Sequence, residues 1–462
     1  MPDAIDEVYS VLARSLRGRL LRQHDAEYVQ AHTIWNAAAQ RRPALIAQCA
    51  GVADVAAAVK PASAAGVATA IRCGGHSLAG FSSCEGGLVI DLCALRGVGL
   101  DAANRVATVQ GGCLLGTIDT ATQRAGLVYP AGVVSHTGAA GLILGGGTGW
   151  LTRKFGLSCD NVEGFTLVTA EGEIVRANAR ENEDLFWALR GGGGNFGVVV
   201  EFQLKLHPLT HVLLGCAYYG EEDIADRLRF FREFMPDAPA ELKWNLGLRL
   251  GPEHADCPEE LRGRPVLSES LLWAGNEAEG RELFRRLYSR DSPQAVKIEV
   301  FLFLKLQTMA DAEFPHGRRY YTKSGYFKSL SDASISRMIA ALGSVPSHET
   351  QIELVYLGGA AAKISADDTA FGDRSSPFIL NLLAAWDEPE RDAENASWVR
   401  TLFADLRPEM TPGVYVNFMS GDEDDRVKEA YSVRWEKLLA VKRKYDPRNF
   451  FRLNQNIRAA KS

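Results

Sequence analysis

A short glycine-containing turn at residues 72–77 carries the residue types most suited to chemistry in this sequence. The turn directly follows the apolar run 67–71 and ends in His76 and Ser77. Glycine lets the backbone approach a ligand closely, and consecutive backbone N–H groups bind phosphate anions. An imidazole at the end of such a turn is a candidate nucleophile. The turn therefore predicts a cradle for a phosphate-bearing cofactor with His76 as a covalent attachment point, and a histidine that only caps the turn is the alternative.

A second cluster of glycines lies within residues 134–149 and is denser than an ordinary helix or strand contains: Gly138, Gly141, Gly145, Gly146, Gly147 and Gly149. This density predicts that the backbone comes close to a ligand there. A flexible loop without a ligand is the alternative.

The elements around these turns follow the order strand, helix, strand, glycine loop, which is typical of nucleotide binding. We expect a helix over 6–40, a strand at 43–49, a helix at 52–65 that Pro61 kinks or ends, and a strand at 67–72. A nicotinamide-binding Rossmann fold is disfavoured, because that fold requires a helix directly after the glycines and an acidic residue ~20 positions later. No good helix pattern follows residue 77.

Further elements are expected along the rest of the chain. They are strands at 88–92, 105–110, 198–206, 267–273, 295–303 and 352–357, a hairpin at 165–176, and helices at 114–125, 185–189, 221–235 and 277–288.

Composition excludes several classes of protein. The net charge of -6 and the absence of basic clusters make nucleic acid a poor partner. An apolar stretch of the ~18 residues that a membrane span requires is missing, and the acidic N-terminus lacks the features of a secretory signal. We therefore expect a cytoplasmic protein. The eight cysteines show no metal-type spacing, so reduced thiols and no metal site are predicted.

The glycine turns belong to a series of motifs that occur in a fixed order: 72–77, 141–149, 156–161, 190–197, and Tyr415 with Asn417. In this combination the chain resembles the berberine bridge enzyme-like flavoproteins of the vanillyl-alcohol oxidase superfamily, over nearly its entire length. The resemblance implies FAD, with the 8α-methyl group of the flavin bonded to His76. It also implies that the later glycines hold the pyrophosphate through backbone N–H groups, without a lysine.

The fold implied is α+β: a two-subdomain FAD-binding domain of the p-cresol methylhydroxylase (PCMH) type, plus an antiparallel-sheet substrate domain covered by helices. A change of composition near His207 and Pro208 places the boundary. We expect the FAD-binding domain at 1–208, the substrate-binding domain at 209–410, and a C-terminal segment at 411–462 that returns to the FAD domain.

Many members of this family carry a second tether, a cysteine in a Gly-x-Cys pattern before the glycine-rich segment. Val134 occupies that position, and no cysteine lies between Cys113 and Cys159. A single covalent link, through His76 only, is therefore predicted.

Residues 130–138 and 450–457 look most like those of the polyketide-rearranging monooxygenases of the enterocin type. For those enzymes the first segment is associated with an oxygen pocket and with a flavin N5-oxide as the working oxidant. Thr137 would donate a hydrogen bond to a developing oxygen anion. His136 is either catalytic or a hydrogen-bonded residue that shapes the loop.

Glu353 is the candidate general base, because a proton must leave the substrate when a hydride moves to the flavin. Strand alternation places Gln351, Glu353 and Val355 on one face, and the apolar neighbours of Glu353 would raise its pKa by desolvation. The same resemblance places a catalytic glutamate on this strand. A solvent-facing glutamate is the alternative.

Tyr415 and Asn417 would share one face of a strand beside the flavin ring, where Tyr415 orients a substrate hydroxyl or relays a proton; a packing tyrosine is the alternative. The aromatic segment 320–327 lines the substrate cavity or is a packed edge. The cofactor-binding residues implied by the resemblance are Arg72, Cys73, Gly74, Gly75, His76, Ser77, Ser135, Thr137, Gly138, Gly141, Gly145, Gly146, Gly149, Asn161, Gly197, Val198, Tyr415 and Asn417.

The leading interpretation is an FAD-linked oxidase or monooxygenase that uses O2 on a small aromatic or polyketide-like molecule. An H2O2-producing oxidase of alcohols or sugars is one alternative, and a flavin-binding protein without turnover is another. A homodimer is plausible for this kind of enzyme, although no residue argues for it.

Overall fold

Three principal β-sheets organise residues 4–365 and 367–458, the part of the chain that the computed structural model describes. The first has the order β1-β2-β4-β3, with β1 antiparallel and the other pairs parallel. Its strands are β1 (Arg19–Arg22), β2 (Leu45–Gln48), β3 (Thr69–Arg72) and β4 (Leu88–Asp91). The 72–77 turn leaves this sheet at the end of β3.

The second sheet is antiparallel, with the order β5-β6-β10-β8-β9. Its strands are β5 (Val98–Asp101), β6 (Val106–Gln110), β8 (Val162–Val168), β9 (Ile174–Asn178) and β10 (Val198–Lys205). The short strands β7 (Leu127–Val128) and β11 (His207–Pro208) pair separately.

The third sheet is antiparallel, with the order β15-β12-β14-β13-β17-β18-β16. Its strands are β12 (His211–Gly220), β13 (Leu242–Leu250), β14 (Pro265–Trp273), β15 (Ala295–Leu302), β16 (Arg319–Phe327), β17 (Gln351–Tyr356) and β18 (Phe378–Trp386).

Fifteen α-helices occur among the described residues. They are α1 (Ala4–Ser15), α2 (Tyr28–His32), α3 (Val52–Ala64), α4 (Leu115–Gln123), α5 (Ala139–Leu144), α6 (Thr152–Phe155), α7 (Glu183–Leu189), α8 (Glu221–Phe234), α9 (Glu277–Arg290), α10 (Phe303–Leu306), α11 (Asp332–Leu342), α12 (Gly359–Lys363), α13 (Asp392–Leu406), α14 (Val427–Tyr431) and α15 (Trp435–Tyr445). The α+β prediction is confirmed.

The two faces of the third sheet differ in chemistry, because successive side chains of a strand point to opposite sides. One face carries Trp244, Leu246, Ile352 and Leu354, which pack in one core with apolar residues of α8, α9, α11 and α13. The other face carries the alternating set that includes Glu353. Helices thus cover one side of the sheet and leave the opposite side for the cavity described below.

The C-terminal segment packs against the glycine loop that precedes β10. Lys442 donates to the carbonyl of Asn195 at 2.7 Å, Asn195 donates to the carbonyl of Gln455 at 3.1 Å, and Ile457 donates to the Asn195 side chain at 2.9 Å. These bonds place residues 454–457 beside a loop about 260 positions earlier in the chain.

Two expected elements are wrong. The helix predicted over 6–40 ends at Ser15, because Asp54 accepts the N–H groups of Arg17 and Gly18, and a Cβ at Gly18 would lie 1.9 Å from the Gln48 carbonyl oxygen. The strand expected to carry Tyr415 and Asn417 is instead a 3-10 turn at Val416–Phe418. In addition, α3 runs through Pro61 to Ala64 without stopping at the proline.

Among the described residues, none of the helices combines the length and the apolar character needed to span a membrane.

Candidate active site

A cavity of about 380 Å³ lies between the glycine turns and the open face of the third sheet. Residues that are far apart in the sequence line it, from Trp35 near the start to Gln455 near the end. Among the predicted cofactor-binding residues, those that line it are Cys73, Gly74, Gly75, His76, Ser77, Thr137, Gly138, Gly141, Gly145, Gly197, Val198, Tyr415 and Asn417. Glu353 lines the same cavity.

The two glycine segments cross each other at the cavity wall, at Gly74 and Gly138. A Cβ on Gly74 would lie 2.4 Å from the Gly138 nitrogen, and a Cβ on Gly138 would lie 2.4 Å from the Gly74 nitrogen. Backbone atoms cannot move aside as side chains do, so both positions require glycine for packing. The crossing fixes the two loops relative to one another.

Other lining groups leave room and hydrogen-bonding capacity inside the cavity. A Cβ at Gly141 or at Gly194 would meet no atom within 4 Å. The buried Thr148 hydroxyl oxygen and the Asn381 side-chain carbonyl oxygen have no partner within the described chain. No lysine or arginine stands among the described lining residues. The cavity therefore suits a large ligand whose negative charge is met by backbone N–H groups.

His76 is held in a fixed orientation at the cavity wall by a stack of aromatic rings. Its ring lies 4.5 Å from that of Trp35 with an interplanar angle of 16°, and Trp35 stacks in turn on Tyr320 at 3.8 Å. Burial, followed by the charges of His136 and His316, lowers the pKa of His76 well below the ordinary value. The imidazole is therefore neutral near pH 7, as a nucleophile must be.

His136 and His316 form a cluster with His76. The Nε2 atom of His76 lies 2.7 Å from Nδ1 of His136, and the ring centroids of His136 and His316 are 4.8 Å apart. The three imidazoles offer nitrogens within 4.8 Å of one another, which is a spacing that metal sites also use. However, two ligands of one tetrahedral zinc ion are about 3.3 Å apart, so the 2.7 Å contact is a hydrogen bond.

Glu353 is half-buried on β17 with both carboxylate oxygens held. Asn381 donates to Oε2 at 2.7 Å, and Gln351 donates to Oε1 at 3.0 Å. Burial is the main cause of a raised pKa, which the Asn381 hydrogen bond opposes; the nearby Glu313 raises it further and Arg249 lowers it. A carboxyl that is held in position and has a raised pKa is suited to act as a general base.

The Tyr415 hydroxyl oxygen is a junction between the second glycine segment and the C-terminal segment. It accepts hydrogen bonds from the N–H groups of Gly147 at 3.0 Å and Thr148 at 3.3 Å, and from Asn417 at 2.8 Å. Burial raises its pKa to about 12. A hydroxyl oxygen has two acceptor lone pairs, which these three donors share, so the O–H of Tyr415 is the group left to form a further hydrogen bond.

Several predicted cofactor residues do not line the cavity. Arg72 turns its guanidinium away to pair with Asp91 at 2.5 Å, and it also donates to the Ala31 carbonyl. Ser135 is bound through its N–H and hydroxyl to Asp311. Asn161 bonds to the carbonyls of 155 and 157 and to a ring nitrogen of 207.

Gly146 and Gly149 also lie outside the cavity lining. A Cβ at Gly146 would meet the Phe371 ring at 2.5 Å, and one at Gly149 would meet the Ala131 carbonyl oxygen at 1.8 Å. Both glycines are therefore required for packing. His136 borders a second cavity, described below.

Sequence reasoning missed Trp35, Phe314, Asn381 and Asn454, all of which line the cavity, and His316, which contacts the other two histidines. Trp35 lay inside the helix wrongly expected over 6–40. Asn381 sits on β18 directly opposite Glu353, so pairing of the two strands was the signal that could have found it.

Comparison with known proteins identifies the families and relatives that this chain is similar to. Residues 43–178 match a family described as FAD binding domain, and residues 414–458 match one described as berberine and berberine like. An FAD-linked oxidoreductase of Dictyostelium discoideum is 31% identical over 98% of this chain and 97% of its own length. A chitooligosaccharide oxidase of Gibberella zeae is 30% identical, over 92% of this chain and 89% of its own length.

The fold also matches a solved structure over nearly its whole length. The crystal structure of 6-hydroxy-D-nicotine oxidase from Arthrobacter nicotinovorans superposes with a TM-score of 0.86 and 27% identity, over 96% of this chain and 98% of that one. The PCMH-type arrangement expected from the sequence is thereby confirmed.

Proposed function

Because this chain belongs to the berberine bridge enzyme-like family of FAD-linked oxidoreductases, within the vanillyl-alcohol oxidase superfamily, we propose that it oxidises a small apolar molecule with O2 as electron acceptor. The observation that carries this proposal is the placement of Glu353, a held carboxyl with a raised pKa, in the same cavity as the neutral His76.

FAD fits the residues that line this cavity. The open positions at Gly141 and Gly194, the unpartnered Thr148 hydroxyl and the lack of lysine or arginine among the described lining residues suit a flavin with a pyrophosphate held by backbone N–H groups. His76 would form the covalent link, and FAD would supply the acceptor for a hydride.

We further infer a single tether. Val134 lines the cavity where a second cysteine tether would stand. Cys73 also lines it, but burial raises the pKa of that thiol to about 12, so the reactive thiolate is absent at neutral pH.

Glu353 acts as general base in this proposal. Its carboxylate takes the proton from the substrate as the hydride leaves, while Asn381 and Gln351 keep both oxygens in place. Tyr415 donates its remaining hydrogen bond into the cavity and orients a substrate oxygen.

The lining supports an aromatic or polyketide-like substrate rather than a sugar. Phe81, Phe314, Leu383 and Phe418 line the cavity together with Trp35, which is a mostly apolar surface. A sugar would need many convergent polar groups to replace its hydration.

Thr137 and Val134, from the segment predicted to handle oxygen, also line this cavity, which supports a monooxygenase as second candidate. Turnover under ¹⁸O2 separates the two candidates. Label in the organic product identifies a monooxygenase, and label found only in H2O2 identifies an oxidase.

The test of the central proposal is Glu353→Gln. Purified protein is mixed anaerobically with a panel of phenols, aromatic alcohols and 6-hydroxynicotine, and bleaching of the flavin is followed by stopped-flow absorbance. For whichever compound bleaches the wild type, the variant should react ~10² to 10⁴-fold more slowly, the usual effect of losing a general base.

Glu299→Gln is the matched control, because Glu299 is an exposed glutamate on edge strand β15 of the same sheet. The flavin of this control variant should be reduced by the substrate at the wild-type rate. Equal rates in the Glu353 and Glu299 variants would remove Glu353 from the chemistry, and a wild-type flavin that no compound bleaches would contradict the oxidation of a small apolar molecule.

A further inference from the structure

The histidine cluster separates two cavities. His76 lines the cofactor cavity, whereas His136 and His316 line a second cavity of about 420 Å³ on the other side of the Gly74–Gly75 backbone. The second cavity also reaches Arg19 and Glu27, whose side chains are more than half exposed. A polar route therefore leads from the back of the His76 ring to solvent.

The ring nitrogens of His76 have different surroundings. Nε2 is engaged by Nδ1 of His136 at 2.7 Å, so Nδ1 of His76 is the nitrogen left for bond formation. A neutral imidazole attacks with the nitrogen that carries no proton, which assigns the N–H of His76 to Nε2 and makes His136 the acceptor. The stack on Trp35 keeps the plane of the His76 ring fixed, so that Nε2 stays directed at His136.

The surroundings of His136 keep it in this position. Its neighbour Ser135 is fixed through both N–H and hydroxyl to Asp311, and the ring of His316, which lines the second cavity, lies 4.8 Å from that of His136. Titratable or charged groups that face the cluster or line the second cavity with it are His76, His316, Asp311, Arg19, Glu27, Arg72, Cys73, Cys93 and Arg96.

We propose that His136 is the base of the tethering reaction: it takes the Nε2 proton of His76 while Nδ1 bonds to the flavin, and releases it past His316 into the second cavity. This rests on the proposed His76 tether. A proton acceptor is needed there, because an imidazole alkylated at Nδ1 is a cation until Nε2 loses its proton.

The atoms and electrons of this step balance with O2 as oxidant. One C–H bond of the 8α-methyl group would break, with its proton and the bond's two electrons ending on the cofactor, which would be left reduced, while the N–C bond forms. His76 begins neutral and ends neutral, having passed one proton to His136. O2 then takes the two electrons and two protons and forms H2O2.

The experiment measures tethering itself. Protein from flavin-depleted cells is incubated with FAD in air, and samples are denatured in acid at intervals; covalent flavin is read as a fluorescent protein band and as a mass increment of one FAD. His136→Gln should bind FAD but tether it ~10²-fold more slowly, at the lower end of the range for a lost base. His24→Gln, which changes an exposed histidine, is the control and should match wild type.

Two further readouts distinguish a base from a merely structural residue. In His136→Ala, added imidazole should restore tethering in proportion to its concentration, since it can enter from the second cavity. The wild-type rate should fall as pH is lowered and the His136→Gln rate should not follow that profile. His316→Gln should slow tethering about 10-fold while leaving bound FAD unchanged.

The outcomes separate this inference from the proposed function. Wild-type tethering rates in both His136 variants would overturn the role of His136. If the His136 variants do not fold, His316→Gln provides the test, and an unchanged tethering rate in that variant would overturn proton release past His316. If the wild type itself releases all its flavin in acid, the tether is wrong, whereas bleaching of that flavin by substrate would still support the oxidase.

Discussion

Where Gly74 and Gly138 cross, two distances predict how much free energy of unfolding is lost when a methyl group is added. In Gly74→Ala the new Cβ would lie 2.4 Å from the Gly138 nitrogen and 2.7 Å from its Cα, whereas ordinary contact begins at 3.4 Å. The two backbone segments must therefore separate by about 1 Å. Forcing an extra carbon into a packed site costs about 1–3 kcal/mol, so we expect the free energy of unfolding to fall by that amount.

The assay is urea unfolding followed by tryptophan fluorescence, together with the absorbance ratio of flavin to protein in the purified sample. A loss of 1–3 kcal/mol lowers the urea midpoint by about 1 M at typical slopes. Flavin content should fall as well, because the separated loops no longer form one cavity wall. Gly138→Ala should behave in the same way.

Gly141→Ala is the matched control for this prediction. Its Cβ meets no atom within 4 Å, and Gly141 lies inside helix α5, so alanine should leave unfolding unchanged or raise its free energy by about 0.5–1 kcal/mol. The methyl group would point into the cofactor cavity and lower flavin content without loss of stability. A wild-type midpoint for Gly74→Ala, or an equal loss in Gly141→Ala, would refute the reasoning.

Three further predictions concern single side chains. Burial raises the pKa of Glu353 above 4.5, so the folded protein holds that proton more tightly than the unfolded chain does. This stabilisation is present below about pH 4.5 and is lost as pH rises through the raised pKa, so in urea titrations wild type should lose free energy of unfolding relative to Glu353→Gln as pH rises above about 4.5. Tyr415→Phe leaves the N–H of Gly147 without its acceptor and should cost about 1–3 kcal/mol by the same assay; an unchanged midpoint would show that water replaces the hydroxyl. Trp35→Leu removes the ring that stacks on His76 and should lower the fraction of flavin that survives acid denaturation, whereas a wild-type fraction would show that the stack does not orient the imidazole.

Local patterns predicted the parts of the site that depend on neighbours along the chain. Strand alternation placed Glu353 and Gln351 on one face, and the two side chains are hydrogen bonded. The glycines of 72–77 and 138–145 were expected at a ligand, and they line one cavity. In both cases the backbone conformation follows from a few consecutive residues.

The errors came from partners distant in sequence. Arg72 was expected at the cofactor, but its charge is met by Asp91 on the adjacent strand β4. The alternating pattern of 414–418 is typical of a strand, yet the bonds of Tyr415 to residues 147 and 148 hold it in a turn. Trp35 reached the site because the chain turns at Gly18, and that turn depends on Asp54.

The bonds between Asn195 and the residues around Gln455 also order events during synthesis of the protein. Leu453, Asn454 and Gln455 are part of the cavity wall, so the wall stays open while these residues are still inside the ribosome. A nascent chain can form the Gly74 turn and the stack on His76, but it cannot enclose the cofactor. Under the proposed His76 tether, complete enclosure of the flavin therefore requires that these last wall residues have been synthesised and folded into place.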